Sequence, residues 1–423
     1  MGDLVSHATK KSGFEYIKEV PNSWSIIPAQ YLFSEAKEKN CDNSYNNAFS
    51  FKYGEIVPKT VIGNEGAELD ETYSVYTVVE PNTIILNGLN LNYDFVTQRV
   101  AVVREKGIIT SAYLAVYPDL GRMRADFACY LFKAFDAQQV FHNMGTGLRK
   151  TLKFADFKKC PVLVPPLQEQ DSIMSHLSGK LNRIDSMIAD AKVNIGDYKL
   201  LKQSIITQAV TKGLDPNVPM KDSGVEWIGK IPEKWQTFRG KWIMTLLSRP
   251  IYDSDEIITC FRDGQVTLRK NRREDGFTFA DKELGYQGVE PGDLVVHGMD
   301  GFAGSIGISD SRGKSTPVLL VLDSKQCKRY LMYFLRSMAY GGVFLGTSTG
   351  IRVRTCALNW NKLGNLIFPV PPIERQLTIA DYIDKELESI DSIISEQQSL
   401  IDDLVAAKKS LIYECVTGKR KVG

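Results

Sequence analysis

Two stretches decide how this chain is read: Val164-Pro-Pro-Leu-Gln-Glu-Gln170 and Val370-Pro-Pro-Ile-Glu-Arg-Gln376. The second restates the first at an offset of 206 residues. More of the chain is written twice, and a fixed-order repeat is the signature of a duplicated unit. Ser12-Gly-Phe-Glu-Tyr-Ile17, Val20-Pro21 and Trp24 return as Ser223-Gly-Val-Glu-Trp-Ile228, Ile231-Pro232 and Trp235. Val79-Glu-Pro-Asn-Thr-Ile-Ile85 returns as Val289-Glu-Pro-Gly-Asp-Leu-Val295, and Thr146-Gly-Leu-Arg149 as Thr349-Gly-Ile-Arg352. The offset drifts slightly from block to block, which means that loops between the blocks have diverged in length.

Each copy has two physically different parts. The first mixes short apolar runs with glycine, asparagine and proline. Residues 83–86, 100–103, 113–117, 293–296 and 318–322 read as strands, and residues 127–135 and 330–338 as helices. The second part opens at each double proline and runs about 45 residues without another proline, with helical periodicity. Apolar residues recur by three and four at Leu181, Ile184, Ile188, Ala191, Ile195 and Tyr198, and the same spacing returns at Leu387, Ile390, Ile394, Gln397, Ile401 and Leu404, with one polar position. Flanking positions are strongly polar, which describes a coiled-coil seam better than two separately buried helices. Pro166 and Pro372 suit the first helical turn, and Gly213 and Gly418 the stop. The expected fold is α+β: two similar globules joined by two long helices forming an antiparallel coiled coil, with a pseudo-two-fold internal repeat. The expected segments are 1–165, 166–212, 213–371 and 372–423. The block at Ser12 to Trp24 is expected where the second long helix ends, because its copy follows the first one.

Composition narrows the function. At 423 residues, 43% hydrophobic and 24% charged, the chain has the make-up of an ordinary globular protein. No apolar run approaches the length of a bilayer span. The N-terminal region shows no secretory signal, so no membrane association and a cytoplasmic location are expected. Seven scattered cysteines without a CxxC pair suit reduced thiols, and four unpaired histidines suit no zinc site. Charge is uneven: residues 96–159 hold eleven Lys or Arg against five Asp or Glu. Residues 325–373 hold seven basic residues and no acid, whereas residues 372–417 hold ten acids and four bases.

Rival chemistries fail on detail. Gly307-Ile-Ser-Asp-Ser-Arg-Gly-Lys-Ser315 has five residues between its glycines where a phosphate-binding loop has four, and Thr316-Pro317 follows where a helix should open. Phe302-Ala-Gly-Ser-Ile-Gly307 faintly resembles a methyltransferase cofactor loop, but the companion Pro-Pro-aromatic motif is absent. No Ser-His-Asp or paired-carboxylate arrangement stands out, so no catalytic residue and no metal ligand are assigned.

Through these residues the chain resembles the specificity subunits of Type I restriction-modification systems along nearly its whole length. The double-proline blocks carry the likeness, as do Ile184-Asp185 with Ile390-Asp391, Lys202-Gln-Ser-Ile205 with Lys408-Lys-Ser-Leu411, and Asp222 to Trp235. The resemblance implies a non-catalytic phage-defence subunit whose globules are target-recognition domains reading the two halves of an interrupted DNA site. It implies double-stranded DNA, two methyltransferase subunits and restriction motor-nuclease subunits as partners. S-adenosylmethionine, ATP and magnesium are then cofactors of those subunits and not of this chain. The other reading is a coiled-coil protein-interaction adaptor, which has no need for acid-poor basic stretches in both globules. Residues in loops after strands, able to meet base edges or phosphates, form the candidate interface. In the first globule these are Asn87, Asn90, Asn92, Arg99, Arg104, Arg149 and Lys150. In the second they are Arg269, Arg272, Arg273, His297, Arg312, Lys314, Arg352 and Arg354.

Overall fold

In both repeats the double proline ends a strand and begins a long helix. Pro161–Val164 pairs antiparallel with Ser25–Pro28, and Ile367–Val370 with Gln236–Arg239. Proline cannot donate to a continuing ladder, and the chain turns at once into helices Leu167–Lys212 and Ile373–Val416. The carbonyls of Pro166 and Pro372 accept the first helical hydrogen bonds. The computed structural model describes residues 8–13, 17–52, 54–59, 67–93, 98–148, 150–272, 284–346 and 358–422.

The chain divides into two compact units, Met1–Ala191 with Leu400–Gly423, and Lys192–Ser399. Each long helix therefore gives one half to each unit. Both units repeat one plan. A four-stranded sheet in the first unit runs in the order Phe33–Glu35, Leu114–Pro118, Ile84–Leu86, Val100–Val102. Its counterpart runs Thr245–Leu246, Leu319–Asp323, Leu294–His297, Ile306–Ile308. A helix of thirteen residues packs with each sheet: Ala125–Ala137 and Lys328–Tyr340. Both helices and the strands at 84–86, 100–102, 114–118, 294–297 and 319–323 fall where the hydrophobic pattern predicts them, whereas Phe33–Glu35, Thr245–Leu246 and Ile306–Ile308 are not among the predicted strands.

In each unit the two long-helix segments run antiparallel. In the first unit Asp185 meets Lys408 at 2.5 Å, and further along His176 lies in the field of Arg420. In the second, Lys202 meets Asp391 at 2.6 Å, and the Lys212 end shares a cleft with Arg375 and Ile379. The inward stripe joins the core of its own unit. Ile173, Leu177, Leu181, Leu411 and Val416 pack with Trp24, Phe127 and Phe132, whereas Ile206, Val210, Ile379, Ile383 and Leu387 pack with Trp235, Tyr330 and Phe334. Each fully buried apolar side chain contributes roughly 1.5–3 kcal/mol, so the cluster that the helices share with the globule holds them to it in each unit. Of the seam positions, Leu181, Leu387, Ile390 and Ile401 are buried, and Ile184, Ile188, Ile195, Ile394 and Leu404 are half-buried.

The repeated glutamine explains why the double-proline block returns. Gln170 is fully buried; its Nε2 donates to the Arg122 and Pro165 carbonyls at 2.9 Å, and its Oε1 accepts from the Arg124 amide at 2.7 Å. Gln376, also fully buried, donates to the Pro371 carbonyl at 2.8 Å and to Gln326 Oε1, and accepts from the Cys327 amide at 2.9 Å. Arg124 and Cys327 are the N-cap residues of the two short helices, whose leading amides lack intrahelical partners. One side chain thus fastens the long helix to the globule in each unit.

Pro21 and Trp24 lie where the repeat predicts. In the first unit the Ile373–Val416 helix ends at Gly418, at φ +74°, against Pro21 and Trp24. In the second, the Leu167–Lys212 helix ends at Gly213, at φ +75°, against Pro232 and Trp235. A left-handed cap favours glycine at both positions.

Candidate nucleic-acid interface

In the first unit, strand Ile84–Leu86 runs into a turn that packs against the loop after helix Ala125–Ala137. The Leu152 amide donates to the Gly88 carbonyl at 2.9 Å, the Leu91 amide to the Lys150 carbonyl at 3.1 Å, and Asn92 Nδ2 to the Leu148 carbonyl at 3.2 Å. Thr146 and Thr151 bridge the base of the second loop. A Cβ at Gly88 would stand 2.8 Å from the Leu152 Cβ, so the two loops close only over a glycine. Asn90, Gly147 and Lys150 all have positive φ, a region asparagine and glycine tolerate best. Asn87 Oδ1 accepts from the Leu89 amide at 3.3 Å. The candidates Asn87, Asn90, Asn92 and Lys150 therefore share one stapled pair of loops.

Arg99 underlies this pair and differs from the expectation for it. Its side chain is 2% exposed and its Nη1 donates to the Asn87 and Leu89 carbonyls at 2.9 and 2.8 Å. A buried guanidinium occupied by backbone carbonyls holds the turn and does not reach a ligand. Arg104 lies elsewhere. It pairs at 2.7 Å with Asp126 in the first turn of Ala125–Ala137, whereas the Arg99 amide bonds Asp136 in the last turn. Asp126 also raises the Arg104 pKa. Arg99 and Arg104 thus stand at opposite ends of strand Val100–Val102.

The second unit builds an equivalent tip around His297. The Leu358 amide donates to the Gly298 carbonyl at 2.8 Å, as Leu152 does to Gly88. A Cβ at Gly298 would stand 2.9 Å from the Leu358 carbonyl oxygen. His297 takes the place of Asn87, and its Nδ1 accepts from the Met299 and Asp300 amides at 3.2 and 3.0 Å. Burial lowers its pKa, with Asp300 opposing the shift and Arg262 adding to it. Arg262, absent from the expected set, pairs with Asp300 at 3.1 Å and is well exposed. Arg272 pairs with Asp263 at 2.7 Å and stacks on Phe261 at 4.4 Å. Nothing in the spacing of Cys260-Phe-Arg-Asp263 distinguishes Arg262 from an ordinary surface arginine; the fold brings it beside the His297 turn.

The remaining second-unit candidates gather at the other end of strand Leu294–His297, near Asp293. Arg312 makes two bonds to Asp255, at 3.0 and 2.9 Å, bonds Glu290, and stacks on Tyr252 at 4.4 Å. It holds the Asp255 carboxyl below the usual range. Arg249 closes a similar pair on Asp293. The Lys314 amide bonds the Glu256 carbonyl and the Arg269 amide bonds the Ile257 carbonyl. Arg269 reaches Thr259 at 3.4 Å, and burial lowers its pKa. Arg312 is thus committed to carboxylates of its own unit, unlike the free cation expected. Arg149, Arg273, Arg352 and Arg354 lie outside the described residues.

The phosphate-loop string is split between strands Ile306–Ile308 and Gly313–Ser315, and the next element is strand Leu319–Asp323, where a phosphate loop would open a helix. Burial pushes the Cys129 and Cys415 thiols up to about 11 and those of Cys160 and Cys260 to about 12, which suits inert thiols. Among the described residues no group of three or more His, Cys, Asp or Glu could hold a metal ion, and no helix is long and apolar enough to cross a membrane.

No protein-family model matches the sequence, and no curated protein matches it. Solved structures do match. A chain from a structure described as "Structural basis underlying complex assembly and conformational transition of the type I R-M system" aligns over 95% of this chain and 99% of its own, with a TM-score of 0.70 at 13% identity. The HsdS subunit from Thermoanaerobacter tengcongensis aligns over 97% of this chain and 100% of its own, with a TM-score of 0.53 at 14% identity. At these identities the likeness is one of fold: two globules and two long helices in one order along the chain.

Proposed function

We propose that the chain is the DNA sequence-specificity subunit of a Type I restriction-modification complex. The carrying observation is a framework written twice that ends in two unlike tips. The glutamine fastenings, helix caps and glycine-closed loop pairs are kept between units, whereas the tips present Asn87, Asn90, Asn92 and Lys150 in one and His297, Arg262 and Arg272 in the other. Two similar supports with different tips suit an interrupted duplex site whose halves differ, since side-chain donors and acceptors in a groove select bases. The fold likeness to specificity subunits supports this reading, and the basic stretches in both globules supply phosphate attraction. In this proposal the chain docks two methyltransferase subunits and the restriction motor-nuclease subunits, which carry S-adenosylmethionine, ATP and magnesium in the cytoplasm. The chain itself contributes no catalytic group.

The test is adenine-methylation mapping in cells that express this chain with its methyltransferase subunits. Two different short sequences at a fixed gap are expected, and both should vanish when this chain is omitted. Methylation that persists without it, or that follows one uninterrupted sequence, would sink the proposal.

A further inference from the structure

The first unit's stapled tip carries a side chain that its own fold does not use. Leu148 is 98% exposed, the most exposed large apolar residue among those described, and Tyr93 on the facing loop is 75% exposed. An exposed leucine on a loose surface loop is ordinary, but the described residues on either side of this one are tied down. The Leu148 carbonyl accepts from Asn92 Nδ2, the Thr146–Thr151 bridge closes the loop beneath it, and the Lys150 amide donates to the Gly147 carbonyl at 3.1 Å. Backbone is held at φ +85° at Gly147 and +35° at Lys150. Local order is thus invested in presenting an aliphatic group to solvent.

The sequence repeats the order of residue types, in a block that lies outside the described residues of the second unit. Thr146-Gly-Leu-Arg149 and Thr349-Gly-Ile-Arg352 each place a branched aliphatic between the glycine and the arginine. Most other tip residues have changed between the copies. Lys150, Asn90 and Asn92 share the first tip, so the apolar group stands among polar and cationic ones. That mixture matches the edge of a base pair, where a thymine methyl adjoins hydrogen-bonding atoms, or a base step opened by an apolar wedge.

We infer that Leu148 is a specificity-determining residue of the first unit, making an apolar contact to the bases of its half-site, with Ile351 as its repeat equivalent. This rests on the DNA-reading proposal above. An apolar contact releases no counterions, so it should leave the salt dependence of binding unchanged.

The experiment uses the full chain assembled with its methyltransferase subunits on a duplex carrying the mapped site. Leu148→Ala and Leu148→Ser should weaken binding by about ten-fold, within the range of one lost base contact, with an unaltered salt slope and an unaltered melting temperature. Leu148→Met should restore most of the affinity. The loss should fall on the first unit's half-site and be absent when that half is replaced by unrelated sequence. Replacing thymine by deoxyuridine along that half-site, in wild type and Leu148→Ala, separates the two contacts. A methyl contact gives one position where the two losses do not add, and a wedge gives increased 2-aminopurine fluorescence at one step. Unchanged affinity in both variants, or an equal loss on every duplex, overturns the inference while the wild-type complex still selects its site. A wild-type complex that selects no site overturns the DNA-reading proposal, and this inference with it.

Discussion

The tips of the two units are built on one backbone plan and differ in what they expose to protonation. In the first, Asn87 caps its turn with an amide oxygen; in the second, His297 does so with a ring nitrogen. Beneath the tips the units also part at their tryptophans. Trp24 donates from Nε1 to Glu169 at 3.0 Å. In the second unit the residue matching Glu169 is Arg375, which lines a cleft of about 470 Å³ together with Trp235. Deeper still, at the buried glutamines, the units are nearly identical. The buried fastening is thus kept between the copies while the tips differ at most positions, as expected when the support is constrained by packing and the tip by its ligand.

The largest effect should come from cutting that fastening. Gln170→Ala leaves the Arg122 and Pro165 carbonyls and the Arg124 amide without their partner. Unsatisfied buried groups cost about 1–3 kcal/mol each, so a loss of about 3 kcal/mol is expected in urea unfolding. Gln376→Ala should cost about 1 kcal/mol less, because one of its partners is the side chain of Gln326, which can turn to solvent. Equal losses would mean that Gln326 is as fixed as a backbone carbonyl.

The glycine caps should separate the units by a smaller margin. A Cβ at Gly418 would lie 2.3 Å from Pro21 Cδ, whereas at Gly213 the nearest atom is Trp235 Cζ2 at 3.3 Å. Both positions have positive φ, so alanine is strained at each by about 1 kcal/mol. Gly418→Ala adds a clash with a rigid ring and should cost about 2–3 kcal/mol in total. Thermal melts of the two variants would expose the asymmetry.

Much of this was legible in the sequence, and the reason is periodicity. Long helices, double prolines and duplicated blocks are local patterns, so Leu181, Leu387 and the helix stops at Gly213 and Gly418 could be read directly. The tips were legible only in part. Asn87, Asn90 and Asn92 follow a strand, His297 ends one, and Lys150 stands beside a repeated glycine-bearing block, so the sequence points to these positions. It points to Arg99 as well, yet its guanidinium is turned inward by the Asn87 and Leu89 carbonyls. Arg312 was taken by Asp255 and Glu290, residues distant in sequence. Charge alone does not say whether an arginine faces a ligand or a carboxylate of its own fold. The signal at Leu148 was present in the repeat but pointed to its arginine neighbours, since exposure of an aliphatic residue has no sequence signature.

Acid should weaken one tip and spare the other. His297 accepts two amide hydrogens at Nδ1 and so must be neutral there, and its pKa lies below the ordinary 6.5. In the window below 6.5 the unfolded turn binds more protons than the folded one, so the stabilising contribution is present above that pH and is lost as pH falls through the folded value. Binding to the second unit's half-site should weaken between pH 7 and 5, with little change at the first, where Asn87 does not titrate. His297→Asn should remove the difference in a fluorescence-anisotropy titration.

The smallest effect tests the repeat itself. Lys408–Asp185 and Lys202–Asp391 are the same pair at an offset of 206, one in each unit. Both carboxylates are exposed and both lysines half-buried, so a double-mutant cycle should give only about 0.2–0.5 kcal/mol for each pair, decreasing with added salt. The informative comparison is between reversals. Asp185→Lys with Lys408→Asp reverses both partners within one unit and should recover most of the coupling. Asp185→Lys with Lys202→Asp changes the same residue types but one partner in each unit. It sets lysine beside lysine in the first unit and aspartate beside aspartate in the second, so stability should fall below that of either single variant. Recovery in the mixed variant would show that these helices can exchange pairings, and the two units could not then be treated as separately fastened copies.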